Sequence, residues 1–163
     1  MHVAYYDADN HHLKYAQSGM GNSGNCGPSN SWQCYKVDDM DPTLPVGISM
    51  KLDPDGYPMI AYQYKATGYP QIVLRIARPY LAYGDASFGN CGDVPPGYLF
   101  LYWRCTTLDD SGQYYNQGDF ISLAINGSGL AVISYSEGDL YYSTTGLKVA
   151  YQRAKVYLSF IIR

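Results

Sequence analysis

The chain repeats itself. Residues 48–79 align without a gap on residues 121–152, 73 positions later. A fixed period of this length means one supersecondary unit used several times, and it constrains the fold more than any local signal. Ile48-Ser49 recurs as Ile121-Ser122, Gly56 as Gly129, Ile60-Ala61-Tyr62 as Ile133-Ser134-Tyr135, and Leu74-Arg75 with Ala77 as Leu147-Lys148 with Ala150. A partial copy opens the chain, where Val3-Ala4-Tyr5-Tyr6-Asp7 matches the Ile60 segment and Leu13-Lys14-Tyr15-Ala16 the Leu74 segment. Each complete copy follows a cysteine and a hydrophobic-Asp-Asp step, Cys34 with Val37-Asp38-Asp39 and Cys105 with Leu108-Asp109-Asp110.

Only 15% of the 163 residues are charged, while there are 19 tyrosines and 17 glycines. Scarce charge with abundant Tyr and Gly favours short strands joined by tight turns over helices. In the central copy the strand-like segments are residues 47–53, 58–64, 71–78 and 99–108, bounded by Gly, Pro, Asn and Asp. The first copy supplies residues 3–7, 13–17 and 32–38, and the last copy 120–126, 130–137, 146–153 and 155–162. Eleven strands result. In the last copy, residues 139–142 are an alternative third strand to the Leu147-Lys148 segment. Asp53-Pro54-Asp55-Gly56 and Asn126-Gly127-Ser128-Gly129 are hairpin turn sequences.

The four cysteines fall in matched places, Asn25-Cys26-Gly27 with Cys34 and Asn90-Cys91-Gly92 with Cys105. Of three connectivities, Cys26 with Cys34 and Cys91 with Cys105 is the one the repeat favours. Disulfides imply an oxidising compartment, extracellular or periplasmic. Their spacing does not match the short knuckles of structural zinc sites. The first residues lack a charged n-region and an apolar h-region, so an oxidised chain implies a leader already removed or a fragment of a longer protein. A net charge of −3 and a pI near 5.4 leave no electrostatic footprint for nucleic acid, and no apolar run is long enough to span a bilayer.

The string Ile-Ser-Met-Lys-Leu-Asp-x-x-Gly-x-Pro-x-Ile-Ala-Tyr, followed by Leu-Arg-x-Ala, Trp-x-Cys and Asp-Asp, resembles the propeller-type repeats found in tandem in large exported bacterial proteins. The resemblance implies an all-β fold of antiparallel four-stranded blades of β-propeller type, about two and three-quarter blades per chain. Residues 1–46 would be a partial blade, 47–119 a full blade and 120–163 the last blade with a C-terminal strand. Rings typically need four to eight blades, so the expectation is either an excised piece of a longer propeller or self-association, with a homodimer favoured. An open stack with covered edges is the third arrangement.

No motif points firmly to chemistry. Gly19-Met20-Gly21-Asn22-Ser23-Gly24 matches a dinucleotide fingerprint, but Asn25-Cys26-Gly27-Pro28 follows, where no helix can usefully begin; no cofactor is expected. Asp53-x-Asp55-Gly56 opens like a calcium loop but has Tyr64 where the closing Glu belongs, so a turn is expected and no metal. It is also distantly like the Asp-box hairpin of sialidase propellers, without their full sequence. The Asp38-Asp39 and Asp109-Asp110 pairs suit acid and base work in principle, yet their recurrence points to a structural role. His2, His11 and His12 match no repeat-equivalent triad and are expected at the surface.

The remaining hint is aromatic. In a blade, the loops between the second and third strands and between blades share one face, which collects Asp7, Tyr69, Tyr114, Tyr115 and Glu137. Tyr beside carboxylates stacks on sugars or anchors a protein. The expectation is a non-catalytic binding or assembly module for carbohydrate or protein. The alternatives are a glycosidase- or lyase-like enzyme whose site is completed by oligomerisation, and a purely structural fragment.

Overall fold

A computed structural model describes residues 1–19, 21–42, 47–65, 72–81, 89–92, 101–109, 115–139 and 145–152; for residues 80, 81, 101, 102, 115–119, 139 and 145 it describes the backbone alone. The protein is all-β. Among the described residues, ten strands lie in three antiparallel units: β1 (His2–Asp7), β2 (His12–Ser18) and β3 (Trp32–Asp39) in the first; β4 (Ile48–Leu52), β5 (Pro58–Lys65), β6 (Ile72–Leu81) and β7 (Leu101–Asp109) in the second; β8 (Tyr115–Ile125), β9 (Ala131–Asp139) and β10 (Thr145–Tyr151) in the third. A parallel bridge, Ile72 to Asn116, joins the second unit to the third.

Strands form where β-branched and aromatic residues alternate, and they stop where turn chemistry takes over. Asp53 shows how. Its Oδ1 accepts from the backbone N–H of Asp55 at 3.0 Å and of Tyr57 at 2.8 Å, while the Gly56 N–H donates to the Asp53 carbonyl at 2.9 Å. Asn126 does the same, with Oδ1 taking the N–H groups of Ser128 and Leu130 at 3.0 and 2.9 Å. Gly56 and Gly129 complete the turns at φ of 86° and 76°, where a side chain would be strained. The Asp53 carboxylate that resembled a calcium ligand is therefore a turn acceptor, and among the described residues no three metal-ligating side chains converge.

The last copy settles its register on Leu147-Lys148, because β10 pairs with β9 as Leu147 to Ser136 and Lys148 to Tyr135. β8 begins earlier than its alternation suggests, at Tyr115, and reaches the regular ladder through register shifts between Gln117 and Ser122. Phe120 sits there at φ 53° and 91% exposed. The strand expected at residues 155–162 lies outside the described residues.

Side chains alternate across a strand, so the second unit has two working faces. Ile60, Tyr62, Ala77, Trp103 and Cys105 pack against Leu13, Tyr15, Tyr35 and Val37 of the first unit. Met59, Ala61, Leu74 and Ile76 pack on Leu123, Ile133 and Tyr135 of the third. The second unit is thus the middle layer of a face-to-face stack.

Both cysteine pairs are disulfides, Cys26–Cys34 and Cys91–Cys105, with Cα separations of 6.0 and 5.9 Å. The loop ahead of each is held in one way. The Asn25 side chain brackets the Cys34 backbone, accepting its N–H at 2.7 Å and donating to its carbonyl at 2.9 Å. Asn90 brackets Cys105 at 2.7 and 2.8 Å. Gly92 has φ 71°, and a Cβ there would lie 2.5 Å from the Lys36 carbonyl oxygen, so the loop passes the first unit as closely as a backbone can. Two disulfides are consistent with an oxidising compartment.

Candidate functional site

The recurring aspartates explain how the units are joined. Asp38, at the end of β3 and 7% exposed, accepts through Oδ2 from the Tyr62 hydroxyl at 2.5 Å and from Arg75 Nη1 at 2.9 Å. Asp109, at the end of β7, accepts through Oδ2 from the Tyr135 hydroxyl and from Lys148 Nζ, the latter at 3.2 Å. Each clamp links the last strand of one unit to the second and third strands of the next. In both, tyrosine and cation face each other across the ladder, Tyr62 opposite Arg75 and Tyr135 opposite Lys148.

Burial pushes the Asp38 carboxyl up, against the opposing pull of Tyr62 and Arg75. Burial and the bonded Asp38 both raise the Tyr62 hydroxyl, and burial with Asp109 raises that of Tyr135. Burial alone would lower Lys148, but Glu137 and Asp109 outweigh it and raise it. The tyrosines therefore stay neutral donors, and the hydrogen bonds to each aspartate join one unit to the next. A carboxylate already saturated by a hydroxyl and a cation is poorly suited to general acid or base work.

The candidate binding residues on the loop side divide sharply. Tyr69 and Tyr114 lie outside the described residues, and Tyr115 is described by backbone only, at the start of β8. Asp7 and Glu137 occupy the same repeat position, two residues after Tyr5 and Tyr135. Asp7 binds Lys14 Nζ at 2.5 Å, and Glu137 binds Lys148 Nζ at 2.5 Å. Hydrogen bonds from Lys14 and Asn10 hold Asp7 down at about 2. The middle copy places Tyr64 there, whose ring lies under the Arg75 guanidinium at 3.5 Å. All three therefore brace the cation that the repeat places opposite its tyrosine, Lys14, Arg75 or Lys148. The histidines are also paired: His2 Nδ1 lies 2.6 Å from the Tyr15 hydroxyl, His11 Nδ1 2.9 Å from that of Tyr6, and His12 Nε2 3.2 Å from Asp39.

An aromatic cleft opens on the other side, beside the Asp53 turn. Tyr15, Tyr35 and Trp103 form its inner wall, and Gln17, Tyr57 and Pro58 its mouth, around a volume of about 140 Å³. The wall is rigid: Tyr15 stacks on Tyr35 with ring centres 5.8 Å apart and meets Trp103 edge-on at 5.6 Å. The Tyr15 hydroxyl donates to Gln17 Oε1 at 3.3 Å, which orients the amide at the rim. Burial pushes the Tyr15 hydroxyl up to about 12, so it stays a neutral donor. Trp103 is 2% exposed, and its indole N–H has no hydrogen-bond partner among the described residues. Tyr57 is 38% exposed and stands between this cleft and a wider polar groove of about 610 Å³. Asp53, Asp55, Arg78 and Ser128 line that groove.

Sequence reasoning missed this cleft. Its walls come from β2, β3, the Asp53 turn and β7; Tyr15, Gly56 and Trp103 stood out as repeat landmarks, but nothing in the sequence joined them. No family model, no curated protein and no solved structure matches the chain.

Proposed function

We propose that the protein is a non-catalytic binding module of β-propeller type, whose stacked units are blades and whose aromatic cleft takes a neutral carbohydrate. The observation that carries the reading is the cleft itself. It combines apolar ring surface, a fixed amide at the rim and an adjoining polar groove, and Tyr57 serves both hollows. Aromatic faces stack on the apolar faces of sugars, while the amide and the groove's hydroxyl and charged groups bond sugar hydroxyls. A volume of about 140 Å³ is roughly ten times what one water needs, which supports a ligand of monosaccharide size.

The two disulfides support an oxidising, exported setting for the module. Its clamp carboxylates serve assembly, which supports binding over turnover. Titration of the protein with neutral oligosaccharides, followed by intrinsic fluorescence and calorimetry, tests the assignment. Binding is expected to weaken about 5- to 10-fold in Tyr57→Ala, the range of one aromatic contact, and to weaken in Gln17→Ala. Saccharide binding indifferent to both substitutions would move the site elsewhere, and no saccharide binding at all would refute the reading.

A further inference from the structure

Among the described residues the clamp is present twice, but its donor pair, a tyrosine and a cation, is present three times. Tyr5 faces Lys14 across β1 and β2 in the register of Tyr62 with Arg75 and of Tyr135 with Lys148. Asp7 braces Lys14 at 2.5 Å as Glu137 braces Lys148. In the second and third units an aspartate from the last strand of the preceding unit completes the group. In the first unit the Tyr5 hydroxyl instead reaches the Cys34 sulfur at 3.9 Å, and among the described residues no aspartate from a neighbouring unit's last strand meets Tyr5 or Lys14.

The surroundings match as well. Val3 stands where Ile60 stands in the second unit; Ile60 is wholly buried under the first unit, whereas Val3 is 38% exposed. β5 and β9 have partners on both edges, but β1 pairs with β2 alone among the described residues.

We propose that this face of the first unit is a docking surface for the last strand of a further repeat of the same type, a strand ending Cys-x-x-hydrophobic-Asp, whose carboxylate is received by Tyr5 and Lys14. The strand chemistry is fixed by the two clamps already formed, Cys34-Tyr35-Lys36-Val37-Asp38 and Cys105-Thr106-Thr107-Leu108-Asp109. A second copy of the chain would have to surrender its own Asp38 or Asp109 from an existing clamp, so the occupant is an additional repeat. The surface is independent of the aromatic cleft.

The test is a chain lengthened by one repeat, with a copy of residues 47–131 joined ahead of His2, which keeps His2 in the register of Val132. That copy supplies both the aspartate-bearing strand and an edge partner for β1. Changing the added copy's aspartate, at the position of Asp109, to Asn is expected to lower the denaturant midpoint. That drop should vanish in a Tyr5→Phe, Lys14→Gln background, and β1 amides should exchange more slowly than in the parent. An equal drop in both backgrounds, or unchanged β1 exchange, overturns the proposal.

If the lengthened chain does not fold, the parent protein is titrated with a disulfide-closed peptide copying residues 25–40. Resonance shifts at Tyr5 and Lys14 that disappear when the peptide's penultimate Asp-Asp step loses its first carboxylate support the assignment; their absence at millimolar peptide overturns it. Self-association of the parent that perturbs Tyr5 and is abolished by Leu147→Lys would assign the face to a second copy, and also overturn it.

Discussion

The two clamps use the same aspartate and tyrosine but different cations, and the neighbours differ with them. Arg75 is stacked on the Tyr64 ring, whereas Lys148 is flanked by Glu137. A guanidinium is planar and weakly hydrated, so it prefers an aromatic face; an ammonium is a compact point charge and prefers a second carboxylate. The position two residues after the tyrosine thus chooses the cation, and Asp7 with Lys14 follows the lysine pattern. The clamps also differ in depth. The Asp38 and Arg75 side chains are 10% and 24% exposed, those of Asp109 and Lys148 16% and 31%. The first clamp sits against the larger aromatic core, with Tyr62 and Trp103 both buried.

The comparison breaks most visibly at the aspartates. Asp38→Ala leaves a buried hydroxyl and a guanidinium without their acceptor, and the expected loss is about 3–5 kcal/mol of unfolding free energy. Asp109→Ala, at the more exposed joint, should lose roughly 1–3 kcal/mol. Equal losses in urea denaturation would mean that depth does not set clamp strength.

Exchanging the cations is the next largest effect. Arg75→Lys gives up the stack on Tyr64 and should cost about 1 kcal/mol, while Lys148→Arg, with no aromatic face to gain, should change stability by less than about 0.5 kcal/mol. If Lys148→Arg is the more damaging, the pairing rule is wrong.

The smallest effects are those of pH. Asp7, drawn down to about 2 from 3.8 by Lys14 and Asn10, contributes stability that is present above its ordinary range and lost as pH falls from about 4 to about 2. Asp38 behaves oppositely. Its carboxyl is raised by burial, so the folded chain holds that proton more tightly, and stability falls as pH rises from the ordinary value through the raised one. Denaturation midpoints across the acid range should therefore show Asp7→Asn flattening the loss below about pH 4, with Asp38→Asn removing a slope of the other sign just above it.

Strands and turns were legible in the sequence because their causes are local. Asp53 and Asn126 act within five residues, and the short apolar run from Pro58 to Lys65, bounded by turn residues, marks a strand buried on both faces. The recurrence of Asp38 and Asp109 pointed to a structural role, and their partners Tyr62, Arg75, Tyr135 and Lys148 each stood out as repeat landmarks. Their union was not legible. Asp38 lies 24 residues from Tyr62 and 37 from Arg75, and the meeting depends on how one unit stacks on the next. Asp7 and Glu137 drew attention as ligand residues because their loops share one face with tyrosines; that each pairs with the lysine beside it depends on the cross-strand register. The aromatic cleft was hidden for a related reason: Tyr15, Tyr35, Tyr57 and Trp103 come from separate segments, and only stacking of the first two units brings them together.

The claim that aspartate-to-tyrosine clamps join the units is tested most directly by a double-mutant cycle on Asp38→Asn and Tyr62→Phe, read by urea denaturation. A coupling of about 1–3 kcal/mol is expected for groups sharing a buried hydrogen bond. Additive losses, within about 0.5 kcal/mol, would contradict it.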